Sequence, residues 1–312
     1  MKNVLFAAVI IVIALSGMAF AEKNEDIHMM YKEGRYEEAV TLAAGSLAEK
    51  EKLYGPEDIR VADELEDLGM IYAAQGKRQE AAGLYTRALG ICEKTYGADN
   101  YRVATENLIL GDIYFDNGSN EDAELYYRKA MAIYKNTPDK KAEKLVVVLT
   151  KIAELCYLTG RYTEAELLYE ESIPILESVY GKDSAQLSLA IDRLAELYYH
   201  HGKFADAEKL YKKGIEMAQG THADDNPRVV APLFKLADLK SIQGKYTEAK
   251  DLYEQALRNC EKTIGADSPR AMAISNKLVE IYLKLGEEKK AAAMEKRIKE
   301  VSEPVKIKEE GV

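Results

Sequence analysis

Five acids recur along the chain at intervals of 42 residues: Asp112, Glu154, Glu196, Asp238 and Glu280. Met70 takes the same place one interval earlier. Rings stand three residues after three of these acids, at Phe115, Tyr157 and Tyr199, and His200 follows the last of them. Four residues before the same register come Glu66, Asp192, Phe234 and Asn276. Carboxylates accept hydrogen bonds and cannot donate them. A row of acids and rings therefore suits a cationic or donor-rich ligand. A second reading stands beside this one. Lys151, Arg193, Lys235 and Lys277 each precede an acid by three residues. On a helix, Lys151–Glu154, Arg193–Glu196, Lys235–Asp238 and Lys277–Glu280 can pair, at about 0.2–0.5 kcal/mol each. The acids are then a solvated face, and the rings are core or interface packing.

Other chemistry finds little support. The four histidines, His28, His200, His201 and His222, form no HExxH motif. Glu196 and His200 are four apart and could share a metal on one helix face, but neighbouring histidines at a helix end read as exposed caps. Cys92, Cys156 and Cys260 make no CxxC, and three widely spaced thiols read as small buried hydrophobes. The Gly-Lys dipeptides at 76–77, 202–203 and 244–245 lack the phosphate-loop spacing. No catalytic residue, metal site or cofactor is expected. With 43 Lys and Arg against 53 Asp and Glu, the net charge is −10. No basic run interleaved with aromatics offsets it, so nucleic acid is not an expected partner.

The 42-residue interval extends to the whole chain. Gly34, Gly76, Gly118, Gly160, Gly202, Gly244 and Gly286 keep it without an insertion. Alanine follows each by five residues, from Ala39 to Ala291, and tyrosine follows five of them by nine, from Tyr85 to Tyr253. From Gly76 onward, apolar residues precede the glycines by eight and five, from Leu68 to Leu278 and from Ile71 to Ile281. Each interval reads as two amphipathic helices broken by the glycine. Asn226-Pro227 and Ser268-Pro269 read as N-caps followed by proline in the first turn. Gly69, Gly111, Ala153, Ala195 and Ala237 are expected to let paired helices approach, facing the alanine at plus five. The tyrosine at plus nine is expected to pack against the next hairpin. Pro174 and Pro232 are expected to kink their helices. A hairpin of this kind cannot bury its apolar face alone, so neighbours must stack.

Leu68-Gly69…Tyr72…Gly76…Ala81…Tyr85…Ala88 resembles the tetratricopeptide signature, as does Leu194-Ala195…Tyr198…Gly202…Phe204…Ala207…Tyr211. The longer interval, and linkers such as GADNYRVA at 97–104 and GADSPRAMA at 265–273, are similar to the kinesin-light-chain type. The resemblance covers 34–285. It implies an all-α fold, a right-handed superhelical solenoid of stacked antiparallel hairpins whose first helices line a concave groove. It also implies a protein or peptide ligand in that groove. The groove positions are Asp112, Phe115, Glu154, Tyr157, Asp192, Glu196, Tyr199, His200, Phe234, Asp238, Asn276 and Glu280. The kinesin-light-chain pattern carries asparagines at minus ten and minus six that grip a peptide backbone. Only Asn276 stands here, and acids take the minus-six place in five successive repeats, which favours cationic or donor-rich partners.

The ends are read separately. Lys2, an apolar run over 4–15 and Ala19-Phe20-Ala21 read as a bacterial-type signal peptide over 1–21. Residues 22–301 are then a solenoid of six to seven helix pairs with caps, and 302–312 a disordered tail. Asn136-Thr137-Pro138 is expected to distort one junction. The protein is expected to be exported, periplasmic or secreted, and membrane-bound only if the first segment stays uncleaved. Two functions fit: a protein-binding adaptor or scaffold, or a structural solenoid that self-associates as a homo-oligomer. An enzyme would need an inserted loop, and the unbroken interval leaves none.

Overall fold

The computed structural model describes residues 23–136, 142–221 and 226–302. The expected signal segment, Thr137-Pro138, His222 and residues 303–312 lie outside the described residues.

Every described element is helical. After a first helix, α1 (23–32), come α2 (Tyr36–Tyr54), α3 (Ile59–Ala74), α4 (Arg78–Tyr96), α5 (Tyr101–Asp116) and α6 (Asn120–Lys135). Then follow α7 (Ala142–Leu158), α8 (Tyr162–Tyr180), α9 (Ala185–His200) and α10 (Phe204–Thr221). A 3-10 turn (Pro227–Val229) leads into α11 (Val230–Ile242), α12 (Tyr246–Thr263), α13 (Pro269–Lys284) and α14 (Glu288–Ser302). The helices are antiparallel hairpins, α3 with α4, α5 with α6, α9 with α10, α11 with α12 and α13 with α14. The chain divides inside α7, after Leu155, into two compact units.

The periodic glycines set the hairpin turns. All seven have φ between 72° and 78°, a left-handed conformation that L side chains avoid. At each turn the residue after the glycine donates its backbone N–H to the carbonyl five residues back, as Lys77 does to Tyr72 and Lys245 to Lys240. That bond is the mark of a Schellman cap, which satisfies a carbonyl the helix end would orphan. First helices begin on side-chain caps. Asp58, Asn100, Ser184 and Ser268 each accept a backbone N–H in the first turn. Pro269 follows its cap as expected, and Asn226 caps the 3-10 turn that begins at Pro227.

Pro232 departs from expectation. It is the third residue of α11, where the amide has no intrahelical acceptor to lose. Pro174 lies inside α8, which runs on to Tyr180.

The core repeats with the sequence. Alanines at plus five from Ala39 to Ala249 are fully buried, and the three thiols are free and buried. The tyrosines meet the next hairpin as expected, Tyr211 sharing a buried cluster with Leu236 and Leu239 and Tyr253 with Ile274 and Leu278, and they meet their own hairpin as well. Tyr85 and Tyr127 lie back across their own hairpins, over Gly69 and Gly111. A Cβ on Gly69 would stand 2.8 Å from the Tyr85 ring, and one on Gly111 would enter the ring of Tyr127. The small residue at minus seven thus makes room for the tyrosine at plus nine. Gly111→Val is expected to cost about 1–3 kcal/mol by overpacking, read as a lower denaturation midpoint with unchanged helical content. A variant as stable as wild type would show that the ring moves aside freely.

Candidate functional site

In the second unit the first helices α9, α11 and α13 carry the candidate residues. α9 places Asp192 and Glu196 one turn apart, α11 places Phe234 and Asp238, and α13 places Asn276 and Glu280. Glu196 is the hub of this surface. Its Oε2 accepts from the Tyr157 hydroxyl at 3.1 Å, and Lys235 Nζ stands 2.9 Å from Oε1. Arg193 Nη1 reaches Oε2 at 3.5 Å, while the guanidinium lies 4.9 Å from the centre of the Tyr157 ring. Burial raises the Glu196 pKa, but Lys235, Tyr157 and Arg193 outweigh it and hold the carboxyl below its ordinary value.

Asp192 behaves in the opposite way. Its pKa is pushed up to about 6, first by burial and then by the Glu196 charge. It has no hydrogen-bond donor among the described residues. A Cβ on Gly214 of α10 would stand 3.4 Å from its Oδ1. Asp238 is also raised by burial, against a hydrogen bond from Tyr253 of its own hairpin. Phe234 meets the Tyr253 ring edge-on at 5.6 Å. Tyr199 meets His200 at 5.5 Å and Phe204 at 5.9 Å, both edge-on. His200 is exposed and stacks on Tyr162 at 6.4 Å. Asn276 and Glu280 are exposed, and Lys277 donates to Glu280 at 3.0 Å.

In the first unit, Asp112 accepts from Tyr127 of its own hairpin at 2.7 Å and pairs with Lys151 at 2.7 Å. Phe115 and Glu154 are half-buried.

Two of the expected three-residue ion pairs are present, Arg193–Glu196 and Lys277–Glu280. Lys151 and Lys235 do something else: each pairs with an acid 39 residues earlier, in the preceding repeat. A period of 42 and a helical offset of three already contain that number. Which of the two pairings forms depends on the register between neighbouring hairpins.

The first unit also buries acids inside its stack. Glu64 is fully buried against Lys50. Glu106, 1% exposed, is pushed up to about 8 by burial and by the charge of Glu66. Burial pushes the Cys92 thiol beside it to about 12. These acids stand twelve residues before their glycines, where later repeats have Val148, Ala190, Pro232 and Ile274. That break in an apolar row was the available signal.

The fold is that of a tetratricopeptide repeat protein, and the family model for that repeat matches residues 27–94, 64–136, 101–178, 145–220 and 228–303. The chain belongs to the tetratricopeptide repeat family. Its structural neighbours include kinesin light chain TPR-like repeats from Podosopora anserina, at 20% identity and a TM-score of 0.53 over 65% of this chain and 96% of that one. BtubC (BKLC) from P. vanneervenii is 20% identical, with a TM-score of 0.57 over 72% of this chain and 88% of that one. The C-terminal part of a TPR repeat-containing protein from Cytophaga hutchinsonii is 15% identical, with a TM-score of 0.65 over 89% and 95%. No curated protein sequence matches the chain. No helix among the described residues is long and apolar enough to cross a membrane.

Proposed function

We propose that the protein is an exported adaptor that binds peptide segments of partner proteins across its first-helix face. Tetratricopeptide repeats are commonly protein-interaction modules, and the signal-like segment at 1–21 supports export. The observation that carries the reading is Asp192, a half-buried carboxylate without a donor. Tyr199 stands two turns further along α9, and Phe234 stands on α11.

The acid row is not uniform in this reading. Lys235 and Arg193 satisfy Glu196, and Tyr253 satisfies one oxygen of Asp238. Asp192 is the group with capacity left for an incoming Lys, Arg or amide donor. Tyr199 on α9 and Phe234 on α11 supply apolar area and cation–π faces.

The test compares wild type with Asp192→Asn/Tyr199→Ala/Asn276→Ala as bait in envelope extract. The expected result is a partner retained by wild type and held at least tenfold more weakly by the variant, with equal helical content. Equal retention would move the contact to another face. Recovery of the bait alone, with a doubled solution mass, would favour a self-associating structural solenoid.

A further inference from the structure

The first two complete hairpins offer an internal comparison. Counting from each glycine, Lys50 and Cys92 both stand at plus sixteen, and Glu64 and Glu106 both stand at minus twelve of the following repeat. Each pair is 14 residues apart. Later repeats fill the same two places with Tyr134 and Val148, Leu176 and Ala190, Ala218 and Pro232, Cys260 and Ile274. In the first pair the Lys50 ammonium donates to the buried Glu64 carboxylate. In the second pair the carboxylate is kept and the ammonium is replaced by a thiol. Glu106 is 1% exposed, Cys92 is fully buried, and the Oε2 atom of Glu106 has no hydrogen-bond partner. Glu66, half-buried on α3, brings a second carboxylate to the same point. One donor atom each from Glu66, Cys92 and Glu106 lie within 4.8 Å of one another.

We propose that Glu66, Cys92 and Glu106 bind one divalent transition-metal cation, with Zn2+ as the ion the donors fit. The cation takes the place that the lysine ammonium holds one repeat earlier. Charge supports this assignment. Asp63, Glu66 and Glu106 are three carboxylates grouped around one guanidinium, Arg102, which donates to Asp63 and Glu66. With Cys92 as a thiolate the cluster carries three net negative charges, and a divalent ion offsets two of them. The donor set excludes Mg2+ and Ca2+ as the preferred ions, because a thiol ligand selects softer metals. Three protein donors and an open position form a known zinc arrangement. Zn–S at about 2.3 Å and Zn–O at about 2.1 Å place ligand atoms about 3.5 Å apart, so the side chains need close in by no more than about 1.3 Å. Binding displaces the Cys92 thiol proton and the Glu106 carboxyl proton, and both leave to solvent. Entry is from the Glu66 side, where the carboxylate is 27% exposed.

The test uses the full, tag-free chain after chelator treatment, titrated with Co2+ in excess Mg2+. The expected result is a thiolate-to-Co2+ charge-transfer band that saturates at one equivalent and disappears when Zn2+ is added. Zn2+ is also expected to raise the melting temperature. Cys92→Ser and Glu106→Gln should each weaken binding at least tenfold, and Cys260→Ser should leave it unchanged. Far-UV circular dichroism checks that each variant is folded. If Glu106→Gln does not fold, Cys92→Ser decides alone. A wild type without the band overturns the proposal, as does a band that survives in Cys92→Ser.

Discussion

Lys50→Met is expected to cost about 3–5 kcal/mol. The lysine lies on α2 and Glu64 on α3, with side chains 10% and 0% exposed. Both charges are largely shielded from water. Removing the ammonium leaves a buried carboxylate to bear its desolvation unpaired, which is the costly half of such a pair. The pair as a whole is worth far less, because its own burial offsets the attraction. Lys50→Met/Glu64→Leu is therefore expected to recover to within about 1 kcal/mol of wild type or to exceed it. Urea denaturation of the three proteins measures both quantities. A double variant as unstable as Lys50→Met would show that the two side chains hold the α2–α3 contact by shape. The later repeats argue for recovery, since the same two places hold Leu176 and Ala190 and are buried there.

These two places also show what the sequence made legible. A period of 42 residues locates hairpins, turns and the apolar faces, because glycine, alanine and capping residues answer to local backbone requirements. The glycines from Gly34 to Gly286 all take the left-handed turn that their spacing implied. Packing between helices was harder to read. The spacing places the tyrosine at plus nine against the next hairpin, as Tyr253 is with Ile274 and Leu278, but it does not show that Tyr127 also rests on Gly111 and donates to Asp112 within its own. Periodicity fixes which face a residue occupies, and does not fix which neighbour that face meets. The same limit applies to Lys235, whose spacing permits either Asp238 on its own helix or Glu196 one repeat back, and which pairs with Glu196. The buried acids were visible only as exceptions. Glu64 and Glu106 interrupt an otherwise apolar register, and an exception inside a regular pattern carries more information than the pattern itself.

Asp192→Asn is expected to stabilise the protein at pH 7.5 by as much as about 3 kcal/mol, and to change it little at pH 4. The carboxyl has an ordinary pKa of 3.8 in the unfolded chain and about 6 in the fold. That difference of about two units is worth about 3 kcal/mol at 1.36 kcal/mol per unit. Between the two values the native state binds more protons than the unfolded chain, so stability falls as pH rises through this window. The group's contribution is fully present below about pH 4 and lost above about pH 6. The charges that face Asp192 are Arg193 and Glu196 from its own helix and Lys235 from α11, with the Tyr211 ring of α10 beside them. Burial outweighs the two cations, which is why the shift is upward. Other carboxylates give the wild type a slope of their own, so the informative quantity is the wild-type-minus-variant difference from pH 4 to 7.5. A flat difference would mean that water reaches Asp192 freely. A sloping one ties stability to binding. A charge that costs the free protein stability above pH 6 is relieved when a ligand brings a cation or a donor to it, so a partner that pairs with Asp192 should bind more tightly at pH 7.5 than at pH 5.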